Sequence, residues 1–359
     1  MADAILEKVH DLSDVELAAL ICLITKENCI IDTEPGSIND LVEELELVAA
    51  KVFGLSHAVI DCTEYTTLDD FAHTILSVDS SPTLSVSPLR SQSESYFLRS
   101  PGFRSITRSP QSENFDDNKS IANVIIAKNL DEAPKQVQIQ ALELIRTKRI
   151  YTRISVNNAP KTFLLIAVLA GGEGPRLTKH LNEYMFISHF HDPEDGFPNL
   201  EEMYDDGHSI SSVVRKGPKL ETEAALQPRI SSAEIEHLSR LSDVAVISIE
   251  VKRYQQDVVA FLRLHRAVSS GITAIATQHF DKLMKCLAPL HGLSYATPSL
   301  VGLAARKIYL HRIHIVTPNR ERSLQWGSDV ETVAALLEGI GPEEVIEDVL
   351  GSSGAEVPL

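Results

Sequence analysis

Five short aliphatic runs, at residues 29–32, 58–62, 123–127, 163–170 and 185–188, constrain what this chain can fold into more than any other feature. Each is too short for a helix, and stretches with a helical apolar period lie between them. Those stretches fall at 14–25, which reads as an amphipathic helix, from a turn at Pro35-Gly36 to about residue 52, and at 135–146. Strands that recur between helices predict a parallel sheet with helical crossovers, so residues 1–190 read as an α/β core. A hairpin through Asn157-Asn158 is expected before the strand at 163–170.

Beyond the last strand the pattern changes. Residues 191–228 are rich in Asp, Glu, Pro and Gly and read as a linker. Helical periods follow at 232–241, 251–267, 274–290 and 298–312, each opened or closed by Ser, Gly or Pro, so 229–318 reads as a helical domain. Residues 319–359 read as a tail with two short helices, at 329–337 and 342–350. Inside the core, residues 79–120 fill abruptly with Ser, Pro and Arg and read as a disordered insertion. Its Ser-Pro pairs make Ser81, Ser87, Ser100 and Ser109 candidate phosphorylation sites, with Arg90, Arg99, Arg104 and Arg108 nearby to pair with phosphate.

Composition then narrows the function classes. At 43% hydrophobic and 23% charged, the 359 residues can bury a sizeable core. Thirty-three Lys and Arg against 50 Asp and Glu give a net charge of −17, which disfavours nucleic acid and anionic membrane as partners. The longest apolar run, 163–170, is far short of a spanning helix, and the N-terminus lacks the basic, apolar, small-residue order of a signal peptide; a cytoplasmic protein is expected. The four cysteines are scattered and read as buried thiols.

Three stretches carry a family resemblance when taken together. They are ENCIIDTEPGSINDLVEELELVAAKVFGLSHAVIDCTEYTTLDDF (27–71), NVIIAKNLDEAPKQVQIQALELIRTKRI (123–150) leading into FLLIAVLA, and HGLSYATPSLVGLAARKIYLHRI (291–313). Together they resemble the magnesium-chelatase and MoxR group of AAA+ ATPases. The resemblance implies an AAA+ P-loop-type parallel sheet core with a C-terminal helical lid at 229–318.

Carried over residue by residue, the resemblance also marks a nucleotide pocket whose chemistry has changed. A phosphate loop wraps backbone N–H groups around phosphates, with a Lys for the β/γ-phosphates and a hydroxyl on Mg²⁺. The matching stretch runs Thr33-Glu34-Pro35-Gly36-Ser37-Ile38-Asn39-Asp40, with Asn39 in place of the Lys and Asp40 in place of the hydroxyl. The Walker B acids fall at Lys128 and Asn129; Asp131 and Glu132 come three residues later, and Ala133-Pro134, Gln138 and Glu143 fix the earlier register. The sensor Asn falls at Ala170, the arginine finger at Glu183 and the lid arginine at Ile275. An arginine finger alone is worth ~10³–10⁵ in rate. The resemblance and these departures therefore imply a non-hydrolysing scaffold or regulatory subunit, joining a ring with itself or with active AAA+ subunits. The alternative is an active motor of the magnesium-chelatase type, using ATP and Mg²⁺ for metal insertion or partner remodelling.

Local expectations follow. Ser37 and Asp40 match a capping box, so Ser37 is expected to close the helix N-terminus that would otherwise face phosphate. Lys128 is expected to replace the metal by pairing with Asp40 or else Asp32, against the alternative that it snorkels to water. His189 and His191 share one face of a strand end, but two ligands are too few to define a metal site.

Overall fold

The structure, a computed structural model, describes residues 2–78, 119–152, 155–172, 174–208, 228–351 and 355–358. Two helices, α1 (Ala2–His10) and α2 (Asp14–Thr25), precede the first strand. A complete capping box starts α2: the Ser13 hydroxyl accepts from the Glu16 N–H and the Glu16 carboxylate accepts from the Ser13 N–H. The expected amphipathic stripe is absent from α2, because every residue from Val15 through Thr25 except the half-buried Leu17 is buried. The helix is sandwiched between the sheet and the C-terminal helices.

Strand β1 (Asn28–Thr33) leads through a tight turn to α3 (Ile38–Leu47), which runs on as a π-helical turn over Val48–Val52. Then come β2 (His57–Asp61), α4 (Leu68–Ile75) behind a Thr67/Asp70 capping box, and a short antiparallel pair, β3 (Leu76–Val78) with β4 (Lys119–Ile121). The candidate phosphorylation sites Ser81, Ser87, Ser100 and Ser109 lie outside the described residues. The chain continues with β5 (Val124–Lys128), α5 (Lys135–Thr147), the hairpin β6 (Arg149–Tyr151) and β7 (Val156–Asn158), β8 (Leu164–Ala170), α6 (Lys179–Tyr184) and β9 (Met185–Phe190). The hairpin turn is not at Asn157-Asn158, which are paired in β7. Thr152 and Ser155 close it instead, through Thr152 N–H to the Ser155 carbonyl at 2.9 Å and Ser155 N–H to the Thr152 hydroxyl at 3.0 Å.

The five long strands form one parallel sheet in the order β2-β5-β8-β1-β9. Alternate residues serve its two faces. Cys29, Ile31, Ile126, Ile166 and Val168 join a core with α2, α3 and the C-terminal helices, whereas Ile30, Ile125, Leu165 and Leu169 join a second core with α4, α5 and α6. Burial on both faces is why these strands read as unbroken apolar runs.

The segment read as a linker contains α7 (Pro198–His208). Its first turn is docked: Asn199, 3% exposed, donates to both Glu16 and Glu44, and the Glu44 carboxylate accepts from the N–H groups of Asn199 and Leu200. Glu44 thus caps a helix from another element, which stabilises two otherwise costly buried carboxylates.

The C-terminal helices are α8 (Ser232–Val244), α9 (Ile249–Leu264), α10 (Ala274–Leu290) and α11 (Pro298–Tyr309), followed by α12 (Val330–Leu337) and α13 (Pro342–Leu350). A two-stranded antiparallel ribbon, β10 (Val268–Ser270) with β11 (His314–Ile315), clamps them. Gly271 makes the ribbon feasible: its φ is +116°, and a Cβ there would sit 2.0 Å from the Arg312 carbonyl oxygen. Leu283, Met284, Val301 and Ile308 share one apolar cluster with Leu20 and Ile31, so this helical unit has no hydrophobic core of its own. Among the described residues no helix is long and apolar enough to cross a membrane.

Candidate functional site

Ligands of open parallel sheets bind beyond the carboxyl ends of the strands, where the strand order reverses. Here that place is the end of β1, between β8 and β9. The turn after β1 is closed by the Ser37 N–H donating to the Glu34 carbonyl at 3.0 Å, and Pro35 and Gly36 project into solvent. Ser37 does not cap α3. Its backbone (φ −104°, ψ 7°) is not the extended conformation that would swing the hydroxyl over the first turn, and its side chain makes no cap hydrogen bond. The first-turn N–H groups of α3 therefore have no side-chain acceptor. Asn39 and Asp40 are exposed on this turn.

The centre of the site is an arginine that sequence reasoning missed. Arg176, in the loop between β8 and α6, reaches back over the strand ends. Its Nη2 donates to Asp32 Oδ1 at 2.5 Å, and its Nη1 donates to the carbonyls of Ala170 at 2.5 Å and Gly171 at 2.8 Å. Its Nε lies 3.9 Å from Asp131 Oδ2. Arg176 and Asp32 are 19% and 16% exposed, so the pair is largely withdrawn from water. Gly172 lets the guanidinium come this close, since a Cβ there would meet Arg176 Nη1 at 3.0 Å with φ at +154°. Burial raises the Asp32 carboxyl to about 6; Arg176 and the Ser188 hydroxyl offset this only in part, and Asp131 adds to it.

Lys128 does not pair with Asp40 or Asp32. Its ammonium donates to Asp61 Oδ2 at 2.8 Å, and Arg176 has taken Asp32. The reason is register: β2 neighbours β5, with Asp61 directly opposite Lys128, so the two side chains end adjacent strands. Asp61 is 57% exposed, which makes this a weak surface pair. Asn129 ends the strand in the left-handed region (φ +52°) and donates its N–H to the Val168 carbonyl, turning the chain toward Asp131 and Glu132.

Ala170 gives the site a backbone carbonyl and no side-chain polar group. Glu183 lies in the last turn of α6, where its carbonyl accepts from Arg312 at 3.3 Å. Ile275, half-buried near the start of α10, behind the Thr273 cap, brings no charge. Gln138 ties this side of the site together: it donates to the Ala133 carbonyl and accepts from the Thr178 N–H at 2.9 Å, so the loop holding Asp131 is fixed to the start of α6.

Mg²⁺-ATP needs a lysine on the phosphates and an acid and a hydroxyl on the metal. The residues present do not fit it: the turn into α3 carries Asn39 and Asp40 and no lysine, Lys128 is committed to Asp61, and Arg176 fills the space over Asp32.

Two further polar clusters flank the site. Asp14 Oδ2 meets His189 Nε2 at 2.6 Å and His191 Nδ1 at 2.9 Å, and Lys307 Nζ meets His189 Nδ1 at 2.8 Å. Arg312, 2% exposed, has no carboxylate partner among the described residues; it donates to the carbonyls of Ile308, Glu183 and Met185 and meets His279 Nδ1 at 2.7 Å. Three carbonyls at or beside helix C-terminal ends thus stand in for a counter-ion. Burial, reinforced by Arg312, lowers His279 to about 3 and drives His311 well below the usual histidine range. All four cysteines are free and buried.

The fold and the place of the site define an open five-stranded parallel α/β core with helices on both faces, followed by a C-terminal set of helices. A similar solved structure is that of a "putative ATPase" from Cytophaga hutchinsonii ATCC 33406, with a TM-score of 0.57 at 15% identity, over 94% of this chain and 97% of that one. A full-length MCM homolog from Methanopyrus kandleri is similar at a TM-score of 0.43 and 11% identity, over 86% of this chain and 58% of that one. No family model matches the chain. No curated protein matches it.

Proposed function

We propose that this chain is a non-hydrolysing AAA+-like protein, related to the magnesium-chelatase and MoxR group, that acts by binding other proteins as a scaffold or regulatory subunit. The observation that carries the reading is Arg176, whose guanidinium lies among Asp32, Ala170 and Gly171, beside Asp131. In a working pocket this space takes phosphate and metal. A fixed cation there pairs with Asp32 and lies beside Asp131, the two acids nearest the strand ends, and so competes with a metal for both. The substitutions at Asn39, Asp40, Lys128, Asn129, Ala170, Glu183 and Ile275 support the same reading. AAA+ proteins commonly assemble into rings, so the partner is a second copy of the chain or an active subunit.

The uncapped first turn of α3 favours one part of the alternative, an ATP-using motor, because its N–H groups remain able to receive an anion. Calorimetry and phosphate release with Mg²⁺-ATP separate the two. The scaffold reading expects no turnover from the wild type and none from Arg176→Ala. Hydrolysis by the wild type at a rate typical of enzymes, about 1 s⁻¹ or faster, overturns it.

A further inference from the structure

Away from the nucleotide-type pocket, three groups converge from two elements. His189 and His191 alternate along the end of β9 and so project to the same side, while Asp14 is the first residue of α2, held in place by the Ser13 and Glu16 capping box. One ligand atom from each lies within 4.8 Å of the others. From this geometry we infer that Asp14, His189 and His191 form a binding site for a late first-row divalent cation such as Zn²⁺ or Co²⁺.

The donor set fits: two imidazole nitrogens and one carboxylate oxygen, with an open fourth position, are a common tetrahedral zinc environment. Bond lengths of about 2.0–2.1 Å place tetrahedral ligands about 3.3 Å apart. The present separations of 2.6 and 2.9 Å need to open by a few tenths of an ångström, and Asp14, 32% exposed, is the group free to move. The histidines are already aimed. His191 is 2% exposed, its ring packs 5.0 Å from Phe197, and its Nε2 has no partner. Lys307 donates to the far nitrogen of His189, which turns Nε2 toward Asp14 but leaves the ring proton on Nε2, so a bound cation has to displace that proton and Lys307 has to give up the contact. A pocket of about 300 Å³, lined by Leu17, Ile21, Ile187, Leu287 and Leu303, opens onto Asp14 and His189 and gives an entry path and room for a water as fourth ligand. Lys307 is the opposing feature. A cation beside His189 weakens the attraction for a second one, which places the expected affinity in the micromolar range rather than that of structural zinc sites.

The test is a titration of the metal-free, full-length protein with Co²⁺, followed by visible absorption and by competition with Zn²⁺. One equivalent should bind, with the intense ligand-field bands of a four-coordinate ion. His191→Gln and Asp14→Asn, each checked for a native circular-dichroism spectrum, should weaken binding at least tenfold. Absence of saturable binding at one equivalent in the wild type overturns the inference, and so does unchanged affinity in both variants. Because the wild type alone can fail the test, misfolding of a variant cannot shield the inference.

Discussion

Asp32 and Arg176 show how a single side chain can redirect a pocket. Asp32 titrates at about 6 in the fold and near 3.8 when exposed, so the native state takes up the proton first as pH falls. Its contribution to stability is fully present below about pH 4 and is lost as pH rises through about 6. Asp32→Asn should therefore gain on the wild type across that window, by roughly 3 kcal/mol at neutral pH less what the lost Arg176 pair costs, in urea unfolding measured from pH 4 to 7. A difference that does not vary with pH would show that Asp32 is not perturbed. The sequence did carry a signal for this pair: Arg176 is the sole cation in a Gly-rich loop directly after a core strand, facing acids at the ends of two others. No motif marks it, because the pairing exists only once the loop folds back over the strand ends. Lys128 was misassigned for a related reason, since its partner follows from strand order rather than from any motif.

At the scale of elements, the sequence spoke most clearly where a cap and an apolar period agree. The boundaries of α2, α10 and α13 are legible in full, each opened by a capping residue or an early proline and closed where the period ends. Helix α4 was missed although Thr67 and Asp70 form a capping box, and α7 was missed because its acidic composition hides a helix whose start is fixed by Glu44 from another element. The capping motif misled at Ser37, where the turn after Pro35 holds the residue outside the extended conformation. Two serines with similar motifs should thus behave differently. Ser231→Ala, which breaks a formed box at α8, should cost about 1 kcal/mol, whereas Ser37→Ala should stay within about 0.5 kcal/mol in the same denaturant experiment. Equal losses would mean that Ser37 caps α3 in solution.

Across the whole molecule, the seam between the sheet and the C-terminal helices is held by a charge whose partners among the described residues are carbonyls and an imidazole nitrogen. His279 and His311 both stay neutral beside Arg312, and the unfolded chain protonates its histidines first as acid is added. The His279 contribution is complete above about pH 6.5 and drains away as pH falls toward 3, by roughly 4–5 kcal/mol, and His311 acts in the same direction. His279→Gln should flatten that part of the acid-unfolding profile; a profile of unchanged slope would remove His279 from the account. The same seam decides how the sheet ends. Strand β9 is the last of the five, and an outermost strand exposes a row of unpaired backbone groups. Arg312 and His311 take the Met185 carbonyl on that border, and α11 lies along it. The C-terminal helices therefore shield a sheet edge: a chain cut short before α8 would leave that border of β9 without α11, a template on which further copies could add strand to strand.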